Sequence, residues 1–442
     1  MSAHATATAI LAGELDATSM SSRAASLFAK RFRWNVPLAR RVEAAYYGKP
    51  RPRVAALADF LINDAGFLRA YARGQTRIVK PLIAAPIMHP IAAAQAWNVP
   101  SLCSIGELAE WLRIDPNELD WRADLKQFES KRSKGKLRNY HYRLLAKRFG
   151  HVRLIEAPKP RLKAIQQQIL HEILDKVPPH PTAHGFRAGK SIRSFAAPHV
   201  DQEVVAKIDL CDFFPSIAIA RVQAIFRSLG YPDSVAQTLT GLCSNTAPPD
   251  VWDDAALVGC DDWRRHSQRL YEKPHLPQGA PTSPALANLC AYRLDCRLSA
   301  LAESAGASYT RYADDLAFSG DADFARSLKR FLIQVCATVI EEGFRVHHRK
   351  TRVMRRGVRQ CVAGLVVNRR LNVAREDFDR LKAILSNCIR FGPESQNRDG
   401  HADFHAHLQG RVAFFESINP SKAAKLRRLL DNIERRPPSG TT

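Results

Sequence analysis

The sequence predicts an α+β fold with a helical N-terminal extension, and three observations predict it. Residues 1 to about 95 are rich in Ala, Leu and Arg, and apolar residues recur there at helical spacing. From about residue 200, short apolar runs of strand length alternate with helical stretches. The tail from Arg375 returns to helical periodicity and carries many basic residues.

Taken in order, residues 22–36 and 54–68 read as helices, and the proline-spaced stretch 81–100 as a linker. Ser104-Ile-Gly-Glu107 has the Ser-x-x-Glu spacing that starts a helix. A basic run at 126–148 precedes a strand at 151–156 and a helix at 161–174. Residues 204–210 form a short apolar strand that ends on an acid, Asp209. Residues 285–302 and 321–342 read as helices, and 361–368 as a strand. Residues 309–319 read as a strand pair with Ala313-Asp314-Asp315 at the turn, and 437–442 as a frayed end.

Composition narrows the partner class. With 66 Lys+Arg against 43 Asp+Glu, the formal charge of +23 points to a polyanion, most often nucleic acid; an incidental basic surface is the plainer alternative. Nine scattered cysteines contain no C-x-x-C pair, which fits reduced thiols in a cytoplasm rather than a disulfide framework. The first twenty residues lack the basic region of a signal peptide. The apolar stretch 81–97 is interrupted by three prolines and is too short to cross a bilayer. A cytoplasmic protein without membrane association is expected.

Asp314 and Asp315 raise the chemical question. Neighbouring ionised carboxylates repel, and burying them unpaired is costly. An arbitrary Asp pair is a solvated turn, but Tyr309 and Leu316-Ala-Phe318 place this one between half-buried strands. Asp209, ending its own strand, would bring a third carboxylate to the same place. Hard oxygen ligands of this kind suit Mg²⁺, which takes its remaining ligands from water and substrate phosphates. Two such ions about 4 Å apart would support in-line phosphoryl displacement.

Tyr312-Ala-Asp-Asp315 resembles the Tyr-x-Asp-Asp signature of reverse transcriptases. Asp209-Leu-Cys-Asp-Phe-Phe214 resembles their first catalytic motif, and Leu276-Pro-Gln-Gly-Ala-Pro-Thr-Ser-Pro-Ala-Leu-Ala-Asn288 the motif between. The likeness runs from about residue 100 to 435 and is closest to retron reverse transcriptases. Phe195-Ala-Ala-Pro-His199 resembles the retron Asn-Ala-x-x-His element, with Phe in place of Asn. Val362-Ala-Gly364 stands where retrons carry Val-Thr-Gly, with Ala in place of Thr.

The resemblance implies a right-hand polymerase. A helical extension at 1–95 would be followed by fingers at 96–200 and 220–280, with an insertion at 245–275. The palm, with its antiparallel sheet, would take 201–219 and 281–368, and a helical thumb 369–442. Asp209, Asp314 and Asp315 would hold two Mg²⁺ ions. Phe214 would exclude a 2′-hydroxyl, although packing beside Phe213 is its plainer reading. Gln278 and Gly279 would line the incoming-nucleotide pocket, and Arg153 would bind the triphosphate, a task suited to a guanidinium. Lys350 would protonate departing pyrophosphate or simply contact a phosphate.

Arg349, Arg352, Arg355 and Arg356, with Arg411, Lys422 and Lys425 of the thumb, would bind RNA through its phosphates. The implied partners are dNTPs, a structured non-coding RNA with its cDNA, and an associated effector protein in anti-phage defence. Cys243, Cys260, His266 and His275 match no standard zinc-finger spacing, so packing of a surface loop around Trp252 and Trp263 is expected instead. Two further readings stand beside this one: another class of bacterial reverse transcriptase, and a scaffold that binds structured RNA without catalysis.

Overall fold

In a computed structural model the chain forms two compact units. One comprises Met1–Pro178 and Ile217–Leu286, the other Pro179–Ser216 and Ala287–Thr442. The structure describes residues 2–49, 51–79, 86–131, 137–146, 152–253 and 261–434. The basic run at 126–148, the expected linker and the start of the strand expected from residue 151 fall partly outside these, and the frayed end wholly outside. No described helix is long and apolar enough to cross a membrane.

In the first unit, helices Ser2–Ile10, Ala17–Leu27, Asn35–Tyr46, Val54–Asn63 and Ala65–Ala72 enclose a core of Ile10, Met20, Leu38, Val42, Leu57, Leu61 and Phe67. Two expected helices are each broken. The one at 22–36 stops at Leu27, where Ala29 takes a φ of 50° and Phe28, Phe32 and Trp34 fold onto one another. Trp34 reaches Phe67 edge-on at 6.0 Å, so aromatic burial outweighs continued helix. The one at 54–68 divides at Asp64, whose carboxylate accepts the Phe67 N–H at 2.8 Å and caps the second half. Ser104 caps Ile105–Leu112 as the sequence predicts: its hydroxyl accepts the Glu107 N–H, and Glu107 accepts the N–H of Cys103.

Strands β1 (Tyr140–Ala146) and β2 (Val152–Pro158) form an antiparallel hairpin followed by helix Pro160–Glu172. Along β2 the two-residue period puts Leu154 and Glu156 inside and leaves Arg153 exposed.

The second unit is built on an antiparallel sheet of order β4-β5-β3-β6, from Ser308–Tyr312, Asp315–Gly320, Val204–Asp209 and Arg352–Arg355 respectively. The central strand β3 is an apolar run because both faces are covered. Val204, Val205, Ala206 and Ile208 are all buried, at about 1.5–3 kcal/mol for each of the larger side chains. The helix expected at 285–302 is two, Ser283–Cys290 and Tyr292–Ser304, separated at Ala291, whose ψ of 0° leaves the helical region.

The strand expected at 361–368 is a hairpin of β7 (Cys361–Val362) and β8 (Leu365–Val366), completed by β9 (Asn372–Val373). Ala363 and Gly364 both have positive φ, 47° and 81°, as a two-residue type I′ turn demands. Helices Arg375–Phe391, Phe404–Ile418 and Pro420–Glu434 then bury Leu381, Leu385, Leu408, Val412, Leu426 and Leu430 in one core with Phe195 and Val205.

The retron-like element lies in this core. Phe195 and His199 are fully buried. His199 sits between two hydroxyls, Ser319 Oγ and Thr310 Oγ1, each 2.7 Å from a ring nitrogen. Burial lowers its pKa to about 3, so the native state excludes a proton that the unfolded chain accepts below about pH 6.5. Its contribution to stability is therefore complete above pH 6.5 and lost progressively as pH falls toward 3, on the order of 5 kcal/mol in full. Thermal melts between pH 7 and 4 are expected to fall more steeply for the wild type than for His199→Gln.

Candidate active site

Asp209, the last residue of β3, is the cross-strand partner of Asp315, the first of β5, so their side chains share one face of the sheet. The turn between β4 and β5 is Ala313-Asp314, with Ala313 at a φ of 55°. The Leu210 N–H donates to the carbonyl of Asp314 at 2.9 Å, tying the turn to the end of β3. The structure thus brings together the three carboxylates singled out in the sequence.

Their electrostatics are those of a site loaded with negative charge. Burial, with Asp209 and Asp315 nearby, pushes the Asp314 carboxyl up to about 6. Burial also raises Asp315, against the opposing pull of Lys207. Lys207 Nζ forms an ion pair with Asp315 Oδ1 at 3.0 Å. Lys350 Nζ donates to both oxygens of Asp209, at 2.9 and 3.1 Å.

Among the described residues no group of His, Cys, Asp and Glu makes a preformed metal cage. The carboxylates nonetheless fit a hard divalent cation. They are hard oxygen donors crowded at one end of the sheet, where burial and mutual repulsion raise Asp314, and Mg²⁺ needs only one or two protein carboxylates beside water and phosphate ligands.

A buried network behind the turn holds it in place. Arg311, in β4, is fully buried and meets Asp295 of helix Tyr292–Ser304 in a two-pronged pair at 2.7 and 2.6 Å. Its remaining terminal nitrogen donates to Asn288 Oδ1 at 3.0 Å and to the Ala313 carbonyl in the turn at 3.2 Å. The Tyr309 hydroxyl completes the set by donating to Asp295 at 2.8 Å. Gly185 passes so close behind that a Cβ there would stand 2.7 Å from the Ala313 nitrogen. Sequence reasoning missed Asp295, Arg311 and Lys207 as parts of the site. Their signal was a charge inside an otherwise apolar element, which burial forces to find a partner.

Among the other residues singled out, Phe214 is half-buried, 5.6 Å from Phe213 and 6.2 Å from Phe186. The packing role falls to Phe213, which is buried and stacks on Phe344. Arg349, Arg352 and Arg355 are exposed, whereas Arg356 is paired with Asp201 at 2.6 Å. Arg411 lines a cavity of about 560 Å³ with Ala363, Gly364, His407 and Phe414. Lys422 lies 4.7 Å over the Phe378 ring, and Lys425 is exposed.

Arg153, Gln278 and Gly279 belong to the first unit. Arg153 is exposed and Gln278 half-buried. Gly279 has a φ of 138°, and a Cβ there would meet the Glu156 carbonyl oxygen at 2.8 Å, so only glycine fits.

Trp252 is buried against Tyr271 at 5.6 Å, with Leu154 and Ala247. Cys260 and the side chain of Trp263 lie outside the described residues. His275 is engaged by Glu156, and burial pushes the Cys243 thiol up to about 12.

Comparison with known proteins shows the family. The family model described as reverse transcriptase (RNA-dependent DNA polymerase) matches residues 145–376, which span all three carboxylates. Retron Mx65 reverse transcriptase of Myxococcus xanthus is 42% identical over 321 residues, covering 72% of this chain and 69% of that protein. Retron Mx162 reverse transcriptase of the same organism is 36% identical over 363 residues, covering 79% and 70%. Retron Ec86 reverse transcriptase of Escherichia coli is 31% identical, covering 64% and 78%. With the carboxylate turn, the sheet that carries it and these relatives together, the chain belongs to the reverse transcriptases, the RNA-directed DNA polymerases, and within them to the retron type.

Proposed function

We propose that the chain copies a cognate structured non-coding RNA into single-stranded DNA that stays linked to that RNA, by two-metal nucleotidyl transfer. The observation that carries this reading is the convergence of Asp209, Asp314 and Asp315 on one end of the sheet, with Asp314 raised to about 6. Mg²⁺ held by these carboxylates would activate the attacking hydroxyl and stabilise the departing oxygen. Lys350, whose Nζ donates to Asp209, stands as the general acid for the departing pyrophosphate. Phe214, half-exposed beside Phe186, blocks a 2′-hydroxyl and selects dNTPs.

In the first unit, exposed Arg153 takes the triphosphate, and the Gln278–Gly279 strip lines the nucleotide pocket. The exposed Arg349, Arg352 and Arg355, with Arg411, Lys422 and Lys425, hold phosphates of the RNA and of the growing hybrid. Arg356 contributes there less, since it is already paired with Asp201. Residues 96–200 and 220–280 serve as fingers, 201–219 and 281–368 as palm, and 369–442 as thumb. Priming from a guanosine 2′-hydroxyl of the RNA, a cytoplasmic setting and an effector partner in anti-phage defence complete the proposal.

The test is to purify the full chain with its bound nucleic acid and sequence it before and after ribonuclease treatment. One small structured RNA joined to a DNA copy of part of itself is expected. A random sample of cellular RNA, with no DNA, would refute the reading.

A further inference from the structure

The first unit holds a buried ion pair that the catalytic proposal does not use. Glu156, in β2, is fully buried, and so is His275. His275 Nε2 lies 2.9 and 3.1 Å from the two carboxylate oxygens of Glu156, and its Nδ1 lies 2.7 Å from the Lys273 carbonyl. Both ring nitrogens face acceptors, so both carry protons and the imidazole is a cation. Asn245 Nδ2 donates to the same carboxylate at 2.8 Å, and the backbones of Asn245 and His275 exchange both hydrogen bonds at 3.0 Å.

The same glutamate also holds the segment three residues further on. Its backbone N–H donates to the Gln278 carbonyl at 2.9 Å, and its own carbonyl lies against Gly279. Segment 275–279 is therefore attached to one residue of β2 at two points, by side chain at His275 and by backbone at Gln278.

A buried ion pair is a poor source of stability, because desolvation offsets most of the attraction, and its best-attested use is to fix register. Here a slip of one residue would take His275 off the carboxylate and carry Gln278 and Gly279 out of place. We infer that the His275–Glu156 pair is a positioning device that sets the register of the Gln278–Gly279 strip for nucleotide binding. This rests on the assignment of that strip to the nucleotide pocket. The pair touches no substrate and acts only through the strip.

The experiment measures steady-state dNTP incorporation by the full chain on a primed RNA template. It compares wild type, His275→Gln, Glu156→Gln, the double variant His275→Gln/Glu156→Gln, and Glu156→Asp, with primer–template affinity measured alongside. Each single Gln variant is expected to raise the KM for dNTP about tenfold, with kcat within about twofold and primer–template affinity unchanged. The double variant, which replaces the charges by two amides that can hydrogen-bond each other, is expected to recover most of the loss. Glu156→Asp keeps the charge pair but retracts it by one methylene. It carries the test if a Gln variant does not fold, and a several-fold rise in KM is expected.

Wild-type KM in the folded single variants or in Glu156→Asp would overturn the inference. So would an equal fall in kcat, nucleotide affinity and template affinity, or a double variant no better than the singles. Gln278→Ala separates the two levels. If it raises KM while the pair variants do not, the positioning role alone fails; if it leaves KM unchanged, the pocket assignment fails and takes the inference with it.

Discussion

Asp314→Asn is expected to abolish Mg²⁺-dependent dNTP incorporation on a primed RNA template and, at the same time, to make the metal-free protein more stable. The activity loss should reach about a thousandfold, corresponding to ~4 kcal/mol of lost charge stabilisation in the transition state. The stability gain follows from the raised carboxyl. A folded pKa of about 6 against an ordinary 3.8 means that the native state binds the Asp314 proton more tightly than the unfolded chain.

Ionisation above pH 6 therefore costs stability, up to about 3 kcal/mol, and the cost disappears as pH falls toward 4. An amide resembles the protonated acid and escapes it. Melting of metal-free wild type and variant should differ most at pH 8 and converge near pH 4. His199 acts in the opposite sense over the same range but is common to both proteins, so their difference isolates Asp314. A variant that loses activity but is less stable at pH 8 would mean that Asp314 is not in a crowded, buried carboxylate site.

Asp295→Ala is expected to cost about 3–5 kcal/mol, because it leaves the fully buried Arg311 guanidinium without its counter-charge. Replacing the pair together, as Asp295→Leu with Arg311→Met, should recover most of that stability, since apolar side chains fill the space without a desolvation cost. Activity should not recover with it. The double variant lacks the Arg311 hydrogen bond to the Ala313 carbonyl, and the carboxylate turn loses its fixed backing. Thermal melts and single-turnover incorporation measured on the same samples would separate the two effects. Full recovery of both would show that Arg311 is only a packing element.

The parts that were legible in the sequence are those encoded locally. The strand 204–209, the hairpin around Asp314 and the Ser104 cap each follow from a short run of residues with its own periodicity or capping chemistry. The three carboxylates were legible because each ends or begins an apolar run, where an unpaired acid needs a reason.

Long-range pairing decided what was missed. Nothing local tells Arg311 that its partner is Asp295, or Glu156 that its partner is His275. The breaks at 28–34 and at Asp64 come from aromatic burial and from capping that outweighed an unbroken apolar pattern. In the segment 361–368, Gly364 was the available turn signal. Ala363 hid the hairpin, because the left-handed first turn position ordinarily takes Asn, Asp or Gly. At the two ends of the insertion, Asn245 and His275 are both satisfied by Glu156, far away in sequence.

Manganese binding to the full chain, saturated with a primed RNA template and a non-incorporable deoxynucleotide, reads the carboxylate centre directly. Free Mn²⁺ followed by electron paramagnetic resonance should show two ions taken up per wild-type chain, and their loss or marked weakening in both Asp209→Asn and Asp314→Asn. Two ions bound with unchanged affinity in both variants would contradict a metal centre built from these aspartates.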